Sequence, residues 1–123
     1  MAARGKTGQV AGVIPARWGS SRFPGKPLHQ LAGKSLLGHV IERVGCCKRL
    51  DVVLVATDDE RIHREALANG AEVVMTSGQH KTGTDRVAEA ITSFPAIQHI
   101  VNIQGDEPLV SPALIDLMAD TLR

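Results

Sequence analysis

Four short apolar runs, each followed by a polar segment and a helical pattern, constrain the fold of this chain more than any other feature. The runs occupy residues 10–15, 51–57, 71–75 and 97–103. Continuous apolar runs of this length are typical of strands buried on both faces of a sheet. Strands that alternate with helices predict β-α-β units with right-handed crossovers. We therefore expect an α/β fold of the doubly wound, Rossmann-like class, with a mostly parallel sheet and helices on both faces.

Capping signals mark the ends of the predicted helices. Ser35 precedes apolar residues at helical spacing, and Ser111 is followed by a proline, which favours a helix start. Thr57 and Glu60 have the spacing of a capping box, which predicts a helix over about 60–69. A further helix is predicted over about 84–93.

A length of 123 residues allows at most one domain. We expect a disordered N-terminal arm over residues 1–9 and an α/β domain over 10–123. The last helical pattern runs to Arg123 without a stop signal or a following strand. We therefore expect the front part of a longer protein, or an unusually short relative of one.

The overall composition excludes several classes of function. A net charge of +1 and an aromatic content of 2% argue against a nucleic-acid binder. No run approaches the roughly 20 apolar residues of a membrane-spanning helix. Cys46 and Cys47 are adjacent, which is unsuited to an ordinary disulfide, and reduced thiols favour a cytoplasmic protein.

The loops that follow the four strands should lie along one edge of the sheet, where open parallel sheets bind ligands. The first loop, residues 16–27, carries Arg17, Arg22 and Lys26 together with two prolines and two glycines. Arginine and lysine recognise phosphate oxygens, so this loop predicts a triphosphate site. Residues 33–35 have the tail of a Walker A motif but lack its first glycine, and the dinucleotide fingerprint is also absent.

The loop after the fourth strand contains two adjacent carboxylates, Asp106 and Glu107. Mg²⁺ typically takes one or two carboxylates together with phosphate oxygens, so this loop predicts a magnesium site. Asp106 is the better candidate ligand because it directly follows the turn at Gly105. Gln104, at the strand tip, has an amide that can hold a sugar hydroxyl.

The two remaining loops carry weaker signals. Residues 76–84 are rich in small hydroxyls before a helix, which suits recognition of a nucleobase edge. His80 is more often a solvated loop residue than a catalyst, and Arg86 could equally belong to an exposed helix face. Asp58 and Asp59 are most simply acids at a helix N-terminus. The five histidines lack ligand spacing, which argues against zinc.

Four ordered motifs together resemble the 3-deoxy-manno-octulosonate cytidylyltransferases, the CMP-Kdo synthetases. Residues 14–28 read IPARWGSSRFPGKPL, and the other motifs are ATDD at 56–59, HKTGTDR at 80–86 and VNIQGDEP at 101–108. The resemblance implies a fold of the nucleotide-diphospho-sugar transferase type. It also implies activation of an eight-carbon acidic sugar (Kdo) by CTP, giving CMP-Kdo and pyrophosphate for lipopolysaccharide synthesis.

The same resemblance implies roles for individual residues. Arg17 and Lys26 would hold the CTP phosphates, and Asp106 would bind Mg²⁺, the implied cofactor. The candidate nucleotide-binding residues are Ala16, Arg17, Ser20, Arg22, Lys26, Ser77, Thr84, Arg86 and Gln104. Family members are roughly twice this length and form homodimers, and their second half carries most of the sugar pocket and the dimer contacts. The resemblance therefore implies a nucleotide-binding (CTP-binding) α/β domain over residues 10–123, truncated before a sugar-binding and dimerisation part. A truncated, non-catalytic CTP-binding module and a cytidylyltransferase for another acidic sugar therefore remain alternatives.

Overall fold

A four-stranded parallel sheet forms the centre of the computed structural model, which describes residues 8–19, 24–79 and 82–123. Its strands are β1 (Gln9–Pro15), β4 (Val52–Thr57), β5 (Glu72–Met75) and β6 (Ile97–Asn102). Their spatial order is β5-β4-β1-β6, and all three pairings are parallel. The chain thus moves outward from β1 to one side and then returns to its other side, which confirms the doubly wound prediction.

The helices cover both faces of this sheet. They are α1 (Leu36–Val44), α2 (Glu60–Ala68), α3 (Gly83–Ala90) and α4 (Pro112–Leu122). One apolar cluster joins α1, α2 and α4 to the side of β1 that carries Val10 and Ile14. A second cluster joins Val87 and Ala90 of α3 to the opposite side of β1. Because β1 is buried on both faces, its sequence is continuously apolar rather than alternating.

Three predicted helix starts can be compared with the structure. Ser35 and Ser111 cap α1 and α4 as expected, accepting the N–H of Gly38 and of Leu114. The capping box predicted at Thr57 is wrong. Asp59 caps α2, accepting from the N–H groups of Arg61 and Ile62, because Thr57 is still paired with β5 in the sheet.

Other boundaries differ by small amounts. Strand β1 begins at Gln9, inside the region expected to be a disordered arm; residues 1–7 of that arm lie outside the described residues. Helix α3 ends at Ala90, and a 3-10 turn (Ile91–Ser93) takes up the remainder of the predicted helix. A two-stranded antiparallel hairpin, β2 (Gln30–Leu31) with β3 (Lys34–Ser35), was not predicted.

The polar side of helix α4 binds the segment before β4. Asp116 accepts the backbone N–H groups of Lys48 and Arg49, and Asp120 pairs with the Arg49 side chain at 2.6 Å. Its other side leaves Leu117 62% exposed beside β6. In the described part of the chain, β6 pairs with β1 alone and is therefore an edge strand.

The helices in the described part of the chain are all too short or too polar to cross a membrane.

Candidate nucleotide-binding cleft

A cleft of about 290 Å³ opens where the carboxyl ends of β1 and β6 diverge. This is the switch point of the sheet, because the chain leaves β1 toward β4 and only later returns to form β6. Doubly wound sheets bind ligands at such points. The lining residues are Pro15, Ala16, Arg17, Lys26, Pro27, Thr82, Gly83, Thr84, Arg86, Asn102, Gln104, Gly105 and Asp106.

The first wall of the cleft is the segment that follows β1. Ala16 is buried and donates its N–H to the Ala56 carbonyl at 2.9 Å, which extends the strand pairing by one residue. Arg17 is exposed at the cleft mouth. Lys26 opens a 3-10 turn (Lys26–Leu28), where Pro27 at the start of the turn needs no N–H partner. Of the three cations predicted for the phosphates, Arg17 and Lys26 line the cleft, and Arg22 lies outside the described residues.

The second wall is the turn after β6. Its position depends on Gly105, because a methyl group there would lie 3.2 Å from the Pro15 carbonyl oxygen and 3.3 Å from the Ala16 Cβ. The close approach of this turn to β1 brings Asp106 to the first wall. Its Oδ2 lies 2.8 Å from Lys26 Nζ, and both side chains are 35–40% exposed.

The third wall is the first turn of α3 with its cap. Thr82 accepts the N–H of Asp85, and Gly83 packs against Pro15. Arg86, which could have been an exposed helix residue, is only 3% exposed. Its Nη1 donates to the Thr76 hydroxyl and to the Ser77 carbonyl oxygen at 3.1 Å.

Arg86 also reaches the loop after β4, where Asp58 Oδ1 lies 3.6 Å from its Nη1. This buried guanidinium thus joins the loops after β4 and β5 beneath the cleft. Among the described lining residues, Arg17, Lys26 and Arg86 are cationic and Asp106 alone is anionic. The lining therefore favours a ligand with several negative charges.

The described residues contain no group of three or more His, Cys, Asp or Glu side chains that could hold a metal by themselves. Asp106 is the one carboxylate among the described lining residues, and Glu107 lies outside the lining. One carboxylate is enough for Mg²⁺ when substrate phosphates supply further oxygens. The donor set therefore fits a metal shared with a bound phosphate and does not fit a metal held by the protein alone.

Most of the predicted site residues come together in the cleft: Ala16, Arg17, Lys26, Thr84, Arg86, Gln104 and Asp106 all line it. Ser77 does not; its N–H is donated to Glu89 Oε1 at 3.0 Å. Ser20, Arg22 and His80 lie outside the described residues. Sequence reasoning did not single out Thr82, Gly83 and Asn102, although their positions beside predicted strand and helix ends were a usable signal.

A cleft lined by Arg17, Lys26 and Arg86 at the switch point of a doubly wound sheet is typical of the α/β proteins that bind an anionic ligand. Residues 11–123 match the family model described as cytidylyltransferase. The chain belongs to this family of nucleotidyltransferases.

Individual relatives agree with this assignment. The 3-deoxy-manno-octulosonate cytidylyltransferase of Anaeromyxobacter dehalogenans (strain 2CP-1) is 55% identical over 115 residues, covering 93% of this chain and 47% of that protein. Among solved structures, a CMP:2-keto-3-deoxy-manno-octonic acid synthetase complexed with CTP superimposes with a TM-score of 0.86 and 38% identity, covering 94% of this chain and 47% of that one. The chain thus spans about half the length of these relatives.

A more distant fold neighbour was solved with a metal. It is a Mycobacterium tuberculosis protein, Rv0371C, in complex with manganese, with a TM-score of 0.67 and 22% identity over 92% of this chain and 59% of that one. At this identity the likeness supports the shared fold alone.

Proposed function

We propose that this chain binds CTP in the cleft between β1 and β6, as the nucleotide-binding half of a 3-deoxy-manno-octulosonate cytidylyltransferase. The observation that carries the proposal is the meeting of Lys26 and Asp106 at the switch point. A phosphate-binding cation and a metal-binding carboxylate at one place suit a metal-bound nucleoside triphosphate. The CTP complex of the 38%-identical synthetase supports the choice of nucleotide.

In this proposal Arg17 and Lys26 bind the triphosphate, with Ser20 and Arg22 assisting from the same loop. Asp106 holds Mg²⁺, which neutralises charge on the phosphate oxygens. Ala16, Thr84 and Gln104 lie around cytosine and ribose. Arg86 shapes the cleft from below through Thr76, Ser77 and Asp58. The role predicted for Ser77 in contacting the nucleotide rests on the sequence alone.

The proposed reaction is an in-line displacement at the α-phosphate of CTP. The anomeric hydroxyl oxygen of Kdo forms a bond to the α-phosphorus and loses its proton. The bond from that phosphorus to the bridging oxygen breaks, and pyrophosphate leaves. Arg17 and Lys26 stabilise the charge that develops on pyrophosphate, so orientation and charge neutralisation supply most of the rate enhancement.

The full activity needs groups that bind the sugar, and the relatives are about twice as long as this chain. We propose that the complete enzyme is a cytoplasmic homodimer that feeds lipopolysaccharide synthesis. Because the chain corresponds to half of such an enzyme, a CTP-binding module without turnover is the second candidate. A cytidylyltransferase for another acidic sugar is the third.

Two measurements separate these candidates. Calorimetric titration with CTP and Mg²⁺ tests nucleotide binding, and we expect saturable binding that excludes ATP. Pyrophosphate release with CTP, Mg²⁺ and either Kdo or sialic acid tests turnover. Release with Kdo supports the enzyme, binding without release supports the module, and release with sialic acid alone supports another sugar. Failure to bind CTP would contradict the proposed function altogether.

A further inference from the structure

A contact outside the cleft joins the loop after β1 (residues 16–27), which is proposed to bind the phosphates, to helix α2. The Arg61 guanidinium carbon lies 3.3 Å from the centroid of the Trp18 ring, which is a close cation–π contact. Asp59, the cap of α2, accepts two hydrogen bonds from the same guanidinium, from Arg61 Nη2 at 2.7 Å and from Nε at 3.1 Å. These two hydrogen bonds orient the guanidinium that contacts the ring.

Gly25 also lies close to the Trp18 ring. A Cβ built on Gly25 would lie only 2.6 Å from the Trp18 ring, and its φ of 71° is in the left-handed region that favours glycine. The Gly25 N–H is also donated to the Trp18 carbonyl oxygen at 2.6 Å. Trp18 and Gly25 therefore close the base of the loop through both backbone and side chain.

The neighbours of these two residues are the cations of the cleft. Arg17 directly precedes Trp18, and Lys26 directly follows Gly25. The contact between Trp18 and Gly25 therefore sets the distance between Arg17 and Lys26, the two residues assigned to the phosphates. The contact with Arg61 fixes this closed base relative to α2 and so to the sheet.

We infer that Arg61 is a positioning residue for phosphate binding: by stacking on Trp18 it holds the loop base, and through it Arg17 and Lys26, in the arrangement that receives a triphosphate. This inference rests on the proposed function for its ligand. Arg61 acts on the ligand through Trp18 and Gly25, since it is absent from the cleft lining.

The test compares binding of CTP with binding of cytidine to the 123-residue chain. Arg61→Ala should weaken CTP binding about tenfold and change cytidine binding less than about twofold, because only the phosphate-binding cations lose their anchor. The CTP affinity of Arg61→Lys should lie between those of the wild type and Arg61→Ala, since lysine cannot make the two hydrogen bonds with Asp59 that arginine makes. Arg64→Ala removes an exposed cation from the same helix and should match the wild type.

A double-variant cycle adds a sharper criterion. If Arg61 acts through Lys26, the combined Arg61→Ala and Lys26→Ala variant should lose less CTP affinity than the two separate losses combined. Equal losses for CTP and cytidine in Arg61→Ala, or unchanged CTP affinity, would overturn the inference.

A ligand-free measurement keeps the inference testable if the wild type does not bind CTP. Trp18 is the only tryptophan in the sequence, so its fluorescence reports on the loop base alone. Arg61→Ala should raise the acrylamide quenching constant of Trp18 about twofold, with unchanged far-UV circular dichroism. Unchanged quenching would overturn the positioning role independently of any nucleotide, and Arg61→Lys serves the same purpose if Arg61→Ala does not fold.

Discussion

Lys26 Nζ and Asp106 Oδ2 lie 2.8 Å apart, although the two residues belong to loops separated by most of the chain. Both side chains are more than one-third exposed, so the pair stabilises the fold by only about 0–1 kcal/mol. A triphosphate with its metal would give each of them a stronger partner. In the proposed function this pair therefore serves ligand binding more than folding.

Lys26→Ala should weaken CTP binding about tenfold or more while leaving cytidine binding nearly unchanged, because lysine contacts phosphate as a point charge. Competition titrations with CTP, CMP and cytidine measure the difference, and the loss should increase with the number of phosphates. The free energy of unfolding should fall by less than about 1 kcal/mol. A uniform loss for all three ligands would instead make Lys26 a structural residue.

Asp106→Asn should abolish the dependence of CTP binding on Mg²⁺, since the amide keeps the shape of the side chain but removes the charge that attracts the ion. Titration of CTP with and without Mg²⁺ checks this, and the melting temperature shows whether the fold is intact. Glu107→Gln is the matched control, because Glu107 is adjacent but outside the cleft lining. Persistence of the full Mg²⁺ effect in Asp106→Asn would refute the metal assignment.

Arg86→Ala should lower the free energy of unfolding by about 2 kcal/mol, because it removes a buried guanidinium and its hydrogen bonds to the Thr76 hydroxyl and the Ser77 carbonyl oxygen. Urea denaturation measures the change. Arg64→Ala, at an exposed position, should stay within about 0.5 kcal/mol of the wild type. Equal effects of the two variants would mean that Arg86 is solvated in solution.

Asp59 should make the stability of α2 depend on pH. The side-chain hydrogen bond from Arg61 is the largest effect on this carboxyl and, with the backbone N–H groups of Arg61 and Ile62, lowers the pKa of Asp59 below its usual value. Because the pKa is lower in the folded state, this stabilisation is complete above the usual pKa of about 4 and is lost as the pH falls through the folded value.

The corresponding measurement is the difference in free energy of unfolding between the wild type and Asp59→Asn from pH 6 to pH 2.5. Asparagine still caps a helix, so the difference should be modest at pH 6 and should vanish in acid. Asp59→Ala removes the cap as well and should cost about 1 kcal/mol more at every pH. A difference that grows in acid would contradict the lowered pKa.

Cys46 and Cys47 should differ in reactivity although they are adjacent. Burial, followed by the charges of Asp116 and Cys46, raises the pKa of the Cys47 thiol to about 11. The thiolate is the reactive form, so at pH 8 iodoacetamide should modify exposed Cys46 at least about tenfold faster. Modification rates measured in Cys46→Ser and Cys47→Ser report on one thiol each. The two rates should become equal in guanidinium, where the protein is unfolded. Equal rates in the folded protein would contradict the raised pKa.

The sequence was sufficient to predict the elements and the edge of the sheet that carries the cleft. Apolar runs mark strands directly, and parallel strands bring their following loops to one edge whatever the details of packing. The caps at Ser35 and Ser111 were also predictable, because each stands immediately before a helical pattern. Local information was enough in all of these cases.

The capping error at Thr57, and the contacts of Arg86 and Arg61 that the sequence did not predict, depend on distant residues. Thr57 and Asp59 are both good capping residues, and pairing of Thr57 with Met75 of β5 leaves the cap to Asp59. Arg86 is buried because α3 turns it toward Asp58, which lies 28 positions earlier in the chain. The stacking of Arg61 on Trp18 likewise joins helix α2 to a loop whose approach only the folded sheet determines.

The position of β6 gives the cleft two walls of unequal stability. Arg17 follows β1, which is hydrogen-bonded on both sides, whereas Asp106 follows β6, which pairs with β1 alone in the described residues. Local opening of a single edge strand would move the carboxylate away while leaving the arginine in place. Amide exchange should therefore be faster in residues 97–106 than in β1, and a polypeptide that pairs along β6 would control how long the cleft stays assembled.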